Sequence, residues 1–214
     1  MAKFRILIAD DHAVVRRGLR SILESQPGWE VCAEAANGRE AVAAIKRLRP
    51  DVAVLDVTMP ELNGVEATRQ IVKEVPRTEV LILTMHSSEE LTREVLRAGA
   101  RGVVLKSDAD EALVAAVNAL RQHKPYLTAM ATEQVLGRYV ADDKQTTAAT
   151  RLTPRERQVL QLVSEGKSNK EVAAALRISV KTAEAHRANI MHKLQLRSVT
   201  DLVRYAIRNK IVEA

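Results

Sequence analysis

Residues 52–56 read Val-Ala-Val-Leu-Asp, an apolar run that ends in the carboxylate of Asp56. An earlier apolar run, residues 6–9, is followed by the acidic pair Asp10 and Asp11. The carboxyl ends of parallel buried strands meet at one edge of a sheet, where open α/β folds bind their ligands. Three carboxylates at one edge repel one another unless a cation joins them, and Mg²⁺ is the natural choice for oxygen ligands. The two runs therefore predict an α/β fold with a metal beside a reactive aspartate.

The rest of the first 123 residues alternates between short apolar segments and amphipathic helical patterns. Strands are predicted at 4–9, 29–35, 52–55, 79–84 and 102–105. Helices are predicted at 13–25, 38–49, 64–75, 88–98 and 109–123, with Asn37, Asn63, Ser88 and Asp108 as N-caps and Gly99 as a C-terminal stop. Strands that alternate with helices in this way predict a doubly wound parallel sheet of five strands.

Two further strand ends also carry polar side chains. Thr84 ends the fourth predicted strand, and Lys106 follows the fifth. An acid pair, an acid, a hydroxyl and an ammonium at four strand ends, in this order, resemble the receiver domain of two-component response regulators. The resemblance covers roughly residues 3–123 and implies a flavodoxin-like fold. We therefore predict a receiver (phosphoacceptor) domain at 1–123.

The resemblance gives each acidic residue a role. Asp56 would accept the phosphoryl group, because a carboxylate that attacks a phosphorylated donor forms an acyl phosphate. By analogy with the family, Asp11, Asp56 and the backbone carbonyl of Thr58 would ligate Mg²⁺, and Asp10 would contribute mainly through water. From the residues alone, Asp10 and Asp11 could instead cap the first helix.

Thr84 and Lys106 would, by the same resemblance, sense the phosphoryl group. The hydroxyl of Thr84 would donate a hydrogen bond to one phosphoryl oxygen, and the ammonium of Lys106 would pair with the oxygens as a point charge. The family usually places an aromatic residue three positions before this lysine, where the chain has Val103. A receiver that phosphorylation does not switch therefore remains an alternative.

Two enzyme classes fit the sequence poorly. Phosphatases of the haloacid-dehalogenase type also use an aspartate nucleophile with Mg²⁺, but they need a second acid two residues later as a proton donor. That position is Thr58. Dinucleotide-dependent dehydrogenases need a G-x-G-x-x-G stretch after the first strand, and none follows residue 9. We therefore predict that the chain is a regulator and not an enzyme.

Charge divides the chain into two parts. Residues 1–150 hold 20 Lys and Arg against 21 Asp and Glu, whereas residues 151–214 hold 13 against 6. The basic C-terminal part predicts a polyanionic partner. Aromatic residues are scarce (one Trp, one Phe and three Tyr), which disfavours stacking on single-stranded bases. Duplex DNA is the better match.

Other features concern location and the connection between the two parts. The N-terminal residues lack the apolar core of a secretion signal, and the chain has no run of 18 uncharged apolar residues. Cys32 is the single cysteine, so it forms no internal disulfide. We therefore expect a cytoplasmic protein without a membrane segment. Residues 124–150 predict a linker, in which 128–140 has a helical pattern.

The C-terminal residues 151–214 predict a domain of four helices. Their start signals are Thr153, followed by Pro154 and Glu156, then Ser168, Ser179 and Ser198. A short second helix, a tight turn at 177–179 and a longer third helix form a helix-turn-helix pattern. The stretches 166–173 and 179–186 resemble the two signature stretches of NarL/FixJ (LuxR-type) regulators. The resemblance implies a LuxR-type DNA-binding domain.

The third helix, predicted at about 180–194, has one apolar and one polar side. Ala183, Ile190 and Leu194 form the apolar stripe. The opposite face should enter the major groove, with Lys181, Glu184, Ala185, Ala188 and His192 directed at the DNA. The residues predicted to contact phosphates are Lys181, Thr182, Arg187 and Lys193.

Together these features predict a phosphorylation-controlled transcription regulator. A sensor histidine kinase or a small phosphodonor would load Asp56, and the loaded form would be a homodimer that binds paired half-sites of duplex DNA. The alternative is a DNA-binding regulator whose receiver is not switched by phosphorylation. The sequence names neither the kinase nor the target genes.

Overall fold

The protein, seen in a computed structural model, is described for residues 3–85, 88–127, 152–209 and 211–212. Its elements separate into two compact units. The elements from Phe4 to Leu127 form the α/β unit, and those from Pro154 to Arg208 form the helical unit. In the described parts of the chain, no helix is both long and apolar enough to span a membrane.

The α/β unit is a parallel sheet with six strands among the described residues, in the order β2-β1-β3-β4-β5-β6. The strands are β1 (Phe4–Ala9), β2 (Trp29–Ala35), β3 (Val52–Asp56), β4 (Glu79–Thr84), β5 (Gly102–Leu105) and β6 (Tyr126–Leu127). The helices are α1 (Ala13–Glu24), α2 (Gly38–Leu48), α3 (Gly64–Glu74), α4 (Glu89–Ala98) and α5 (Ala109–Arg121). This architecture confirms the predicted fold class, with one strand more than expected.

The neighbouring internal strands β1, β3 and β4 are buried because helices pack on the sheet. β3 is buried at every position, and β1 and β4 are buried except at their first one or two residues. Leu23 of α1 and Leu113 of α5 pack with Ile8 and Val54 in one continuous cluster. Burial on both faces explains why these strands are nearly uniformly apolar.

Helix caps set the boundaries of the helices near the sheet edge. The side chains of Asn37, Asn63 and Ser88 each accept a hydrogen bond from the backbone N–H three residues later, at the starts of α2, α3 and α4. Gly99 ends α4 with a φ of 104°. That left-handed conformation favours glycine because it has no Cβ. These four predicted boundary residues are confirmed.

Two features of the α/β unit correct the prediction. β6 joins the sheet beside β5, where a linker was expected. Two residues are too few to show a hydrophobic period, so no pattern indicates this strand. Asp108 lies at the predicted N-cap position of α5 but makes no side-chain capping bond, and its carboxylate accepts from Ser107 Oγ at 2.7 Å. Most of the predicted linker at 124–150, with its helical pattern, lies outside the described residues, and the boundaries at 123 and 151 stay predictions.

The helical unit contains four described helices around one core. They are α6 (Pro154–Ser164), α7 (Asn169–Leu176), α8 (Val180–Lys193) and α9 (Val199–Arg208). Thr153, Ser168, Ser179 and Ser198 cap them through their side chains, as predicted. Val159, Ile190 and Leu202 are fully buried in the core. Between α7 and α8, Arg177 turns the chain with a φ of 52°, which completes the helix-turn-helix.

Candidate functional site

The carboxyl edge of the sheet brings together the four polar strand ends. Asp10 follows β1, Asp56 ends β3, Thr84 ends β4 and Lys106 follows β5. These strands are consecutive neighbours and run parallel, so their ends align. Asp10, Asp56 and Thr84 are buried, with exposures of 0%, 3% and 4%. The sequence-predicted residues therefore form one site.

The Lys106 ammonium lies between two of the carboxylates. Its Nζ is 2.8 Å from Asp10 Oδ2 and 3.0 Å from Asp56 Oδ2. The Lys106 side chain is only 12% exposed. Its positive charge offsets the repulsion between two buried negative charges, which explains how both aspartates tolerate this position.

Burial controls the acidity of Asp56. Removal from water raises its pKa to about 7, the charges of Asp10 and Asp11 act in the same direction, and Lys106 opposes them. Burial also acts to lower the pKa of Lys106, but its contacts with Asp10 and Asp56 outweigh burial and raise it. In the metal-free protein, Asp56 therefore changes charge near neutral pH.

Asp10, Asp11 and His12 offer ligand atoms that suit a divalent cation. Carboxylate oxygens of Asp10 and Asp11 and a ring nitrogen of His12 lie within 4.8 Å of one another. The buried Oδ2 of Asp10 lies 2.8 Å from the Lys106 ammonium and keeps a lone pair for a further partner. Carboxylate oxygens with spare lone pairs fit a hard cation such as Mg²⁺. The residues present are therefore compatible with the predicted metal.

His12 is a neighbour of the site that the sequence analysis missed. Its Nδ1 lies 2.8 Å from Asp11 Oδ1 and 3.4 Å from Asp10 Oδ1. Its position directly after the acid pair was the signal that could have revealed it. His12 also occupies the N-cap of α1 without a side-chain capping bond. Asp10 and Asp11 therefore do not serve merely as helix caps.

Gly64 packs against the backbone of Asp56. A Cβ on Gly64 would lie 2.1 Å from the carbonyl oxygen of Asp56. The Gly64 N–H also donates to Val57 O at 2.7 Å, which fixes the chain just after β3. Only glycine allows this close approach.

We expect Gly64→Ala to destabilise the α/β unit by about 2 kcal/mol, because a backbone atom cannot move aside as a flexible side chain does. Gly18→Ala is the matched control. Gly18 lies inside α1 with nothing within 4 Å of an added Cβ, so its replacement by alanine should stabilise the α/β unit by about 0.5–1 kcal/mol. Urea unfolding followed by the fluorescence of Trp29, the single tryptophan, measures both. Equal effects of the two variants would contradict the close contact.

The raised pKa of Asp56 predicts that Asp56→Asn, measured in EDTA, increases the free energy of unfolding by an amount that depends on pH. Between the usual carboxyl pKa and about 7, folded wild type holds a proton that the unfolded chain has lost, so its stability falls as pH rises. Asparagine does not ionise and escapes this loss. One pKa unit is worth about 1.4 kcal/mol, and we expect a gain of about 2 kcal/mol above pH 7 after relaxation around the charge. Trp29-detected unfolding from pH 4 to 8.5 measures it, and a pH-independent difference would refute the cause given.

In the helical unit, α8 presents one polar face. Ala183 and Ile190 are buried and Leu194 is partly buried, so the predicted apolar stripe faces the core. The residues predicted for DNA contact that are exposed are Lys181, Thr182, Glu184, Ala185, Ala188 and His192. Arg187 is half-buried. The Thr182 hydroxyl also lies 2.7 Å from Ser179 Oγ, at the helix start.

Lys193, which was predicted to contact a DNA phosphate, has a partner inside the helical unit. Its Nζ lies 2.7 Å from both carboxylate oxygens of Glu156. Burial acts to raise the pKa of Glu156, but hydrogen bonds from Lys193 and Thr153 outweigh it and hold that pKa below its usual value. The ammonium therefore links the end of α8 to the start of α6, and its contact with a DNA phosphate stays a prediction.

Comparison with known proteins gives a consistent result for both units. The response regulator receiver domain family matches residues 6–118, more than half of the chain. The LuxR family of bacterial regulatory proteins matches residues 150–206. The chain belongs to the response regulators with a LuxR-type DNA-binding domain. Members of this family are transcription regulators.

Individual response regulators resemble the chain over nearly its full length. The oxygen regulatory protein NreC of Staphylococcus aureus is 42% identical over 98% of this chain and 99% of its own. A structure of RcsB from Salmonella typhimurium covers 99% of this chain and 100% of its own, with 27% identity and a TM-score of 0.68. The structure of ChrA, the response regulator of a heme-sensing two-component system, covers 99% of this chain and 100% of its own, with 33% identity and a TM-score of 0.54.

Proposed function

We propose that this response regulator is switched by transfer of a phosphoryl group to Asp56 from a sensor histidine kinase or a small phosphodonor. The observation that carries the proposal is the buried Asp10–Lys106–Asp56 contact at the carboxyl edge of the sheet. The Asp56 carboxylate, which we propose as the nucleophile, contacts a cation that can pair with phosphoryl oxygens. Because its partner would be DNA, the protein is expected in the cytoplasm.

In the transfer step, one carboxylate oxygen of Asp56 forms a bond to phosphorus. The bond from phosphorus to the donor's imidazole nitrogen breaks, and the imidazole leaves and takes a proton from solvent. The Lys106 ammonium, which already contacts Asp56, would pair with a phosphoryl oxygen, and the Thr84 hydroxyl would donate to another. Mg²⁺, held by Asp11, Asp56 and the Thr58 carbonyl with Asp10 through water, would neutralise the charge on the group being transferred.

The output is binding of α8 to duplex DNA. A recognition helix lies in the major groove, and its exposed face here carries Lys181 and Glu184. RcsB has been solved bound to a promoter in the presence of the phosphomimetic BeF₃⁻, and also as dimers bound to DNA. By analogy, we propose that phosphorylation favours a homodimer of this chain on paired half-sites.

Lys181 and Glu184 should affect DNA binding in different ways. Lys181→Ala should weaken specific and non-specific binding alike and lower the log–log salt slope by roughly 0.9, because one phosphate contact is lost. Glu184→Ala should relax discrimination at one base pair, by about 1–3 kcal/mol if the carboxylate reads a base directly. Titrations across salt on a cognate and a scrambled site measure both. If Glu184→Ala weakens both sites equally and Lys181→Ala only the cognate one, the helix face is assigned wrongly.

Phosphodonor labelling followed by DNA binding, with and without Mg²⁺, tests the proposal directly. We expect Mg²⁺-dependent, acid-labile label and tighter DNA binding by the labelled form. Label without tighter binding would favour the alternative, a DNA-binding regulator whose receiver is not switched. The buried Val103, in place of an aromatic residue on β5, is the observation that supports this alternative. Absence of label would refute the proposed acceptor site.

A further inference from the structure

An arginine on α1 holds the loop that carries the metal-binding aspartates. Arg16 donates from its guanidinium to the backbone carbonyl of Asp10 at 2.7 Å. The same guanidinium donates through Nε to Glu34 on β2 at 3.2 Å. Arg20, one turn later, donates to the other oxygen of Glu34 at 2.6 Å. The side chain of Arg16 is only 17% exposed.

The backbone of Asp10 is thereby fixed on both sides. Its N–H donates to the carbonyl of Ala35 on β2 at 3.2 Å, and its carbonyl accepts from Arg16. Its side chain is fully buried and directed at Lys106. Asp11 follows directly, so the same two bonds restrict the backbone position from which its side chain extends.

We propose that Arg16 is a positioning residue for the metal site: by holding the Asp10 carbonyl, it keeps the carboxylates of Asp10 and Asp11 convergent on one cation. The inference rests on the metal site of the proposed function. Groups that orient metal ligands without touching the metal commonly contribute tenfold or more to metal affinity. Loss of the Arg16 bond should therefore weaken Mg²⁺ binding while the nucleophile Asp56 stays in place.

The effect should come from geometry rather than from charge. Hydrogen bonds from Arg20 and Arg16 hold the pKa of Glu34 below its usual range against the opposing effect of burial, so Glu34 is ionised at neutral pH. Its negative charge offsets the positive charge of Arg16 beside the cluster. What Arg16 adds, and Arg20 lacks, is the bond to the Asp10 carbonyl.

This difference supplies a matched control. Arg16→Gln and Arg20→Gln each remove one positive charge and one hydrogen bond to Glu34, but only Arg16→Gln removes the bond to the loop. Arg20→Gln also loses the Glu24 pair, which is remote from the loop. Arg16→Lys keeps the charge and a donor that can reach one acceptor, so it should restore part of the affinity.

Calorimetric titration of the unphosphorylated full-length protein with Mg²⁺ tests the inference, with Trp29-detected unfolding in EDTA to verify folding. We expect the dissociation constant to rise about tenfold in Arg16→Gln, to stay within about twofold of wild type in Arg20→Gln, and to be intermediate in Arg16→Lys. Should Arg16→Gln fail to fold, the Mg²⁺ dissociation constants of Arg16→Lys and Arg20→Gln are compared instead, and the inference requires the weaker binding in Arg16→Lys. Equal Mg²⁺ affinities of the Arg16 and Arg20 variants would overturn the inference. A wild-type protein that binds no Mg²⁺ would instead refute the metal site of the proposed function.

Discussion

Asp56→Ala protein is expected to take no acid-labile phosphoryl label, at any concentration of phosphodonor. The methyl group cannot form an acyl phosphate. Asp10 also contacts Lys106 but is fully buried, and the Asp11 carboxylate contacts His12, so neither is expected to replace Asp56 as the acceptor. Asp11→Ala should instead weaken the labelling, because it removes a proposed ligand of Mg²⁺ and leaves the nucleophile.

Asp51→Ala is the control for this experiment. Asp51 precedes β3 at the opposite end of the strand and is exposed, so its loss should leave the label at the wild-type level. Quantitative labelling with a small phosphodonor in excess Mg²⁺, followed by acid and base treatment, measures the stoichiometry. Retention of wild-type stoichiometry in Asp56→Ala would show that another residue is the acceptor.

The sequence predicted the scaffold of the site well because one physical constraint dominates it. Strands buried on both faces must be apolar and must end where the chain leaves the sheet, so the residue after each apolar run marks the edge. Asp56 and Lys106 were found in this way. Side-chain caps such as Asn63 then fixed the helix starts, because unsatisfied N–H groups need a local acceptor.

The contacts between distant residues could not be predicted in the same way. The closeness of Gly64 to the Asp56 carbonyl depends on the path of the chain after β3, and one glycine in a sequence does not reveal what it approaches. Lys193 was assigned to DNA because it is cationic and lies near an exposed helix face. Its partner, Glu156, lies 37 residues earlier, and no local period connects the two.

That internal ion pair leads to the second large effect. We expect Lys193→Met to destabilise the helical unit by about 3 kcal/mol, the lower end of the range for breaking a buried pair, because the Lys193 side chain is 36% exposed. Glu156, buried and capping α6, would keep its negative charge without a cation. Glu156→Gln should cost less, because the amide oxygen can still accept from the Thr153 N–H. The double variant should recover part of the loss of Lys193→Met, since no unpaired charge remains.

Circular dichroism in urea follows the helices of both units. Trp29 fluorescence in the same samples follows the α/β unit alone, so the part of the circular dichroism transition that it does not share belongs to the helical unit. DNA binding distinguishes the two possible roles of Lys193. If the residue only holds α8 in place, the Lys193→Met variant should keep the wild-type salt slope of DNA binding at temperatures where it is folded. Among the single and double variants of Lys193 and Glu156, the loss of DNA affinity should then follow the loss of stability. A slope lower by roughly 0.9 in a fully folded Lys193→Met protein would show that the ammonium also leaves Glu156 to contact a DNA phosphate. The internal pair would then be a state that DNA binding breaks.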